Sequence, residues 1–179
     1  MRLHEITVLT ESTPRTLYHG TLMKFVPTIM QFGLLPTVGE FTKKAYQEYS
    51  DAGIDLEPIV FAADKKGLLK CISAMVAWLK EHGMPLTAES FYKNAALIAI
   101  KQGEDRMQRR SDSWKDIHHP TTAEPEDYYS RDTIEPSYYM TGDRLKNFLR
   151  RNSVSLYNFG IIDDVSTRQA ERNRLIKHN

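Results

Sequence analysis

Hydrophobic positions in this chain change period several times, and each change marks an element. Thr16-Leu17-Tyr18 places three apolar or β-favouring residues together and runs on into His19-Gly20-Thr21, which predicts a buried strand ending where Gly20 lets the backbone turn. Met23, Val26, Ile29, Met30 and Phe32 then recur near helical spacing, with Pro27 tolerable in the first turn and Gly33 as the stop. From Leu34 to Glu57 charges, Gly39 and Gly53 interrupt any pattern, leaving room for one short helix around residues 43–50 in a mobile loop.

A second strand follows over Ile59-Val60-Phe61-Ala62, with Asp64 placed to cap the next helix. In that helix Leu68, Ile72, Met75, Val76 and Leu79 trace one apolar face, ending near His82-Gly83. Ala95 to Ile100 predicts a third strand. The polar stretch 101–120 carries Arg106, Arg109, Arg110, Lys115, His118 and His119 and reads as a solvated loop or helix edge. Tyr128-Tyr129 and a proline-kinked run, Ile134 to Tyr139, predict further strands. Leu145, Phe148 and Leu149 mark a short helix, Leu156 to Ile162 a last strand, and residues 164–179 a charged, helix-favouring tail. Strands scattered among helices in this irregular order indicate the α+β class.

At 179 residues the chain is read as a polar, flexible lead-in over 1–15 and one domain over 16–179. A net charge of +1 neither favours nor excludes nucleic acid, so any such signal must come from a local patch. Cys71 is the one cysteine, which excludes an internal disulfide and fits a reducing compartment; its place in an apolar pattern makes it a small core residue. There is no signal-peptide core and no apolar run approaching the roughly 18–20 residues of a membrane span, so a soluble, cytoplasmic protein with no membrane partner is expected.

The order Tyr18-His19-Gly20-Thr21, then a helix closing at Gly33-Leu34-Leu35-Pro36, then Pro58 to Asp64, then a long helix, then Glu124-Pro125-Glu126-Asp127-Tyr128-Tyr129 resembles the ADP-ribosyltransferase superfamily. The likeness is to the branch with a His-Tyr-Glu constellation, which includes poly(ADP-ribose) polymerases and the rifampin ADP-ribosyltransferases, and it spans about residues 16–140. It implies a split β-sheet with flanking helices and NAD as the ADP-ribose donor. Breaking the bond to nicotinamide passes through an oxocarbenium-like state, which asks for gripped ribose hydroxyls, a held nicotinamide and a nearby carboxylate.

The resemblance assigns the ribose grip to His19, backbone contacts to Gly20, a further contact to Thr21, and catalysis to His19 with Glu126. Tyr18, Phe61 and Ala62 complete the implied NAD contacts. Val60 stands where the family has its stacking tyrosine, so Phe61, or else Tyr46 or Tyr49, would supply the ring. Glu124 and Asp127 compete with Glu126 for the acid. Arg106 to Lys115 reads as an exposed loop or as a phosphate contact. No metal is expected, since the adjacent His118 and His119 cannot easily share one, and no Gly-rich phosphate loop is present.

The implied function is a mono-ADP-ribosyltransferase acting on a macromolecular acceptor, a host protein first and nucleic acid second. Two alternatives accompany it: a silent nucleotide- or protein-binding module, which Val60 favours, and an RNA 2′-phosphotransferase, which the tyrosine preceding His19 in place of an arginine disfavours. Leu9-Thr10-Glu11-Ser12 is similar to the sites trimmed in proteins packaged in the heads of large tailed bacteriophages, which points to a phage origin, host cytoplasm and a place in the virion.

Overall fold

A computed structural model describes residues 15–39, 43–53, 57–101, 103–109 and 127–162. Six strands form one sheet: β1 (Leu17–Leu22), β2 (Val60–Ala63), β3 (Ala95–Ile100), β4 (Gln108–Arg109), β5 (Asp127–Ser130) and β6 (Tyr138–Met140), in the order β4-β5-β2-β1-β3-β6. Every neighbouring pair is antiparallel. Among the described residues six α-helices accompany them: α1 (Val26–Phe32), α2 (Lys43–Asp51), α3 (Leu68–Glu81), α4 (Ala88–Asn94), α5 (Gly103–Arg106) and α6 (Gly142–Arg151). The architecture is α+β, as the irregular order of elements indicated.

β3 is the most deeply placed strand, buried at all six positions. Alternation splits it between two clusters. Ala95, Leu97 and Ala99 join Tyr18 and the inner faces of α3, α4 and α6, while Ala96, Ile98 and Ile100 join Leu17, Val60, Ala62, Tyr128 and Val26 of α1. Strands covered on both faces need an unbroken apolar run, and Ala-Ala-Leu-Ile-Ala-Ile supplies one.

The long helix is as its periodicity indicated: Leu68, Ile72, Met75, Val76 and Leu79 are its buried residues. Their burial contributes on the order of 10 kcal/mol before chain entropy offsets most of it. Asp64 acts one step earlier than expected. Its Oδ1 accepts the Lys66 and Gly67 backbone N–H groups at 2.8 and 3.2 Å, closing the turn between β2 and α3, and Gly67 is the residue at the cap.

α1 begins with Pro27 in its first turn and ends at Gly33, whose φ of 87° lies in the region glycine favours and whose N–H reaches Ile29 O at 2.8 Å. The chain beyond it is pinned to a distant segment, because Leu34 and Ile134 exchange both backbone bonds at 2.8 and 3.0 Å.

Three expectations are corrected. Leu156 to Ile162 is not a strand: Leu156–Phe159 is a 3-10 turn closed by Gly160 in the left-handed conformation, and only Leu156 and Ile161 are buried there. The stretch after Lys101 is only partly a loop, since it contains α5, the buried Met107 and β4. Ile134 forms an isolated bridge, and the following strand is only Tyr138–Met140. α4 was not anticipated; its signal is Thr87, whose side chain accepts the Ser90 N–H at 3.2 Å.

Candidate active site

β1 pairs with β3 over all six of its residues, from Leu17↔Ile100 to Leu22↔Ala95, but with β2 at Tyr18↔Ala63 alone. Beyond Tyr18 the ladder between β1 and β2 stops, and a side chain spans the gap. His19 Nδ1 lies 2.6 Å from the carbonyl oxygen of Phe61. A carbonyl can only accept, so Nδ1 carries the proton and Nε2 of the neutral ring is left as an acceptor. Burial holds the His19 pKa below its ordinary 6.5, and the bond to Phe61 works against that shift without reversing it. At neutral pH the imidazole is therefore uncharged.

Around this gap lies a cleft of ≈ 540 Å³, within the range of small-ligand pockets. β1 contributes His19, Gly20 and Thr21, and β2 contributes Val60 to Ala63, preceded by Ile59. α1 and the 33–39 segment form one wall, with Ile29, Leu35 and Val38 among its apolar residues; Lys70, Cys71 and Ala74 of α3 form the other. Lys70 is the one formally charged side chain among the lining residues, so the cleft suits a largely apolar or aromatic ligand carrying few charges.

The residues singled out in the sequence divide by what the sheet does with them. His19, Gly20, Thr21, Phe61 and Ala62 come together in the cleft. Tyr18 does not. Its ring is buried on the other side of β1, 5.1 Å from the Phe148 ring, and burial raises its pKa; strand alternation sends adjacent side chains to opposite faces. Only the backbone of Tyr18 remains near the site. Gly20 has a packing role besides any ligand contact, since a Cβ there would stand 3.0 Å from Cys71 Cβ. Cys71, expected in the core, is half-buried and shared between the core edge and the cleft wall, with Sγ 3.8 Å from Tyr18 O.

Tyr46 does not line the cleft; its hydroxyl donates to Glu57 O at 3.1 Å, so it is not positioned as the stacking ring. The Tyr49 side chain, Glu124, Glu126, Arg110, Lys115, His118 and His119 lie outside the described residues, as do Leu9 to Ser12 and the tail. Asp127 opens β5, and its backbone pairs with Ala63, which pairs with Tyr18. The start of β5 is therefore two strand spacings, about 10 Å, from β1 in the row beside His19. Arg106 is exposed and donates from Nη1 to Glu135 O at 3.0 Å.

The 33–39 wall was invisible in the sequence. Its placement depends on the Leu34–Ile134 bridge and on Gly33, where a Cβ would come within 2.7 Å of Thr133 Cγ2. No group of three or more His, Cys, Asp or Glu side chains converges among the described residues, and no described helix is long and apolar enough to cross a membrane. No family model, curated protein or solved structure matches the chain.

Proposed function

We propose that the protein is a mono-ADP-ribosyltransferase that takes ADP-ribose from NAD and passes it to a macromolecular acceptor. The observation that carries this reading is the His19 imidazole, locked by the Phe61 carbonyl at the point where β1 and β2 part and lining a cleft of ≈ 540 Å³. A neutral ring with a fixed Nδ1 proton offers Nε2 to a donor, and a ribose hydroxyl is such a donor. Fixing the sugar in one pose raises the fraction of bound NAD in a reactive geometry.

The apolar lining suits the nicotinamide ring, with Phe61 and the aliphatic residues of the 33–39 wall as its surfaces. Glu126 precedes Asp127 directly, and a carboxylate at the entry to β5 is the group that would steady the oxocarbenium-like state as nicotinamide leaves. The acceptor nucleophile then attacks the anomeric carbon.

The assay is incubation with NAD labelled in its ADP-ribose portion, in the presence of bacterial protein. Label appearing on protein supports transfer. A second reading, a silent binding module, is favoured by Val60 and by the absence of any tyrosine among the described cleft residues. It forecasts NAD binding with neither label transfer nor nicotinamide release.

A further inference from the structure

Helix α6 has an inner face closed by Leu145 and Leu149, both buried, and an outer face of unusual charge. Arg144, Lys146, Arg150 and Arg151 are all exposed, against Asp143 as the one carboxylate of the helix. The whole 179-residue chain carries only +1, whereas this one helix carries a net +3 and the remainder of the chain is net negative. None of the four cations takes part in an ion pair among the described residues.

Helix stability explains only part of the arrangement. Arg150 and Arg151 sit in the last turn, where the helix dipole favours cations. Arg144 sits in the first turn, where the dipole disfavours one, and Lys146 and Arg150 are an i, i+4 pair of like charge. Arg144 and Arg151, two turns apart, lie on one stripe of the outer face. These are charges the fold tolerates rather than uses. Separated from the helix by four residues, the 3-10 turn carries Tyr157, which at 76% is the most exposed large apolar side chain among the described residues. Cations along a helix face neutralise backbone phosphates, and an exposed ring a few residues further along the chain gives a base a stacking surface.

We propose that the outer face of α6, with Tyr157, is a binding site for single-stranded nucleic acid, engaged through its phosphate backbone and one stacked base. The site is separate from the NAD cleft and does not depend on the transferase reading. Charge complementarity identifies the partner as a polyanion, and the exposed ring favours single-stranded nucleic acid over an anionic membrane.

Fluorescence anisotropy of the full chain with a labelled oligo(dT) and an oligo(U) tests it. We expect binding that weakens with salt, and for Arg144→Glu with Arg151→Glu a loss of affinity of tenfold or more. The milder Arg144→Gln with Arg151→Gln should lower the slope of log affinity against log salt by about 1.4. Tyr157→Ala should weaken binding roughly tenfold, and Lys65→Glu with Lys66→Glu, in the exposed turn before α3, should leave it unchanged. Circular dichroism verifies that each variant is folded. Equal affinity of folded wild-type and Arg144/Arg151 variants, no binding of either oligonucleotide, or binding confined to phosphatidylglycerol vesicles or to a second copy of the chain would overturn the proposal.

Discussion

His19 and Phe61 sit on adjacent strands and are joined through the imidazole, Nδ1 to carbonyl oxygen at 2.6 Å, where a backbone ladder would otherwise continue. One bond thus does two things. It bridges the opening of the sheet, and it settles which ring nitrogen can meet a ligand.

Replacing His19 by Ala should therefore remove turnover with little loss of folding, because the ring lines a cleft rather than filling the core. Nicotinamide release measured beside a thermal melt separates the two effects. We expect a rate lower by at least tenfold, with the melting temperature lowered only by the about 2–4 °C that loss of the single bond to the Phe61 carbonyl implies.

The lowered His19 pKa gives a pH signature. Protonating Nε2 destroys its acceptor role, so turnover should fall as pH drops through the folded-state pKa, which lies below 6.5. Stability follows the same sign. Below 6.5 the unfolded chain binds a proton that the folded chain resists, so unfolding becomes easier as pH falls from neutral, while above 6.5 this group contributes no pH dependence. His19→Gln, which cannot titrate, should flatten that part of the melting-temperature profile between pH 7 and the folded pKa.

Gly20 and Cys71 bring α3 close against β1, so that a Cβ at position 20 would stand only 3.0 Å from Cys71 Cβ. Gly20→Val should destabilise the protein by about 1–3 kcal/mol, since the helix must move off the strand. Chemical denaturation measures it, with a lower midpoint expected and an unchanged slope.

Glu126→Gln should reduce turnover by about a hundredfold or more while NAD affinity changes little, since a group aimed at the transition state acts mainly on the rate. Single-turnover kinetics with a binding titration distinguishes the two. Unaltered turnover would move the acid to Glu124 or Asp127.

Much of the fold was legible in the sequence for a physical reason. α3 and β3 have long, clean apolar patterns, and both appear where the patterns place them. α4 escaped because its one buried residue, Phe91, gives no periodicity to read. Leu156 to Ile162 misled because an apolar run broken by single polar residues suits a strand and a turn alike, and only Gly160 argued for the turn. In the cleft, the β1 and β2 residues were visible as a local run, but the opposite wall was not. Leu34 owes its place to Ile134, a hundred positions further on, and no local pattern encodes such a pairing. The Tyr18 ring was harder to place, because tetrapeptide likeness ignores the alternation that turns it into the core.

An experimental structure of the protein soaked with NAD tests the central claim most directly. The nicotinamide ring is expected against Phe61 and the 33–39 wall, with a ribose hydroxyl in hydrogen-bonding reach of His19 Nε2 and the entry of β5 facing the same sugar. NAD bound elsewhere, or a cleft left empty at saturating NAD, would contradict it.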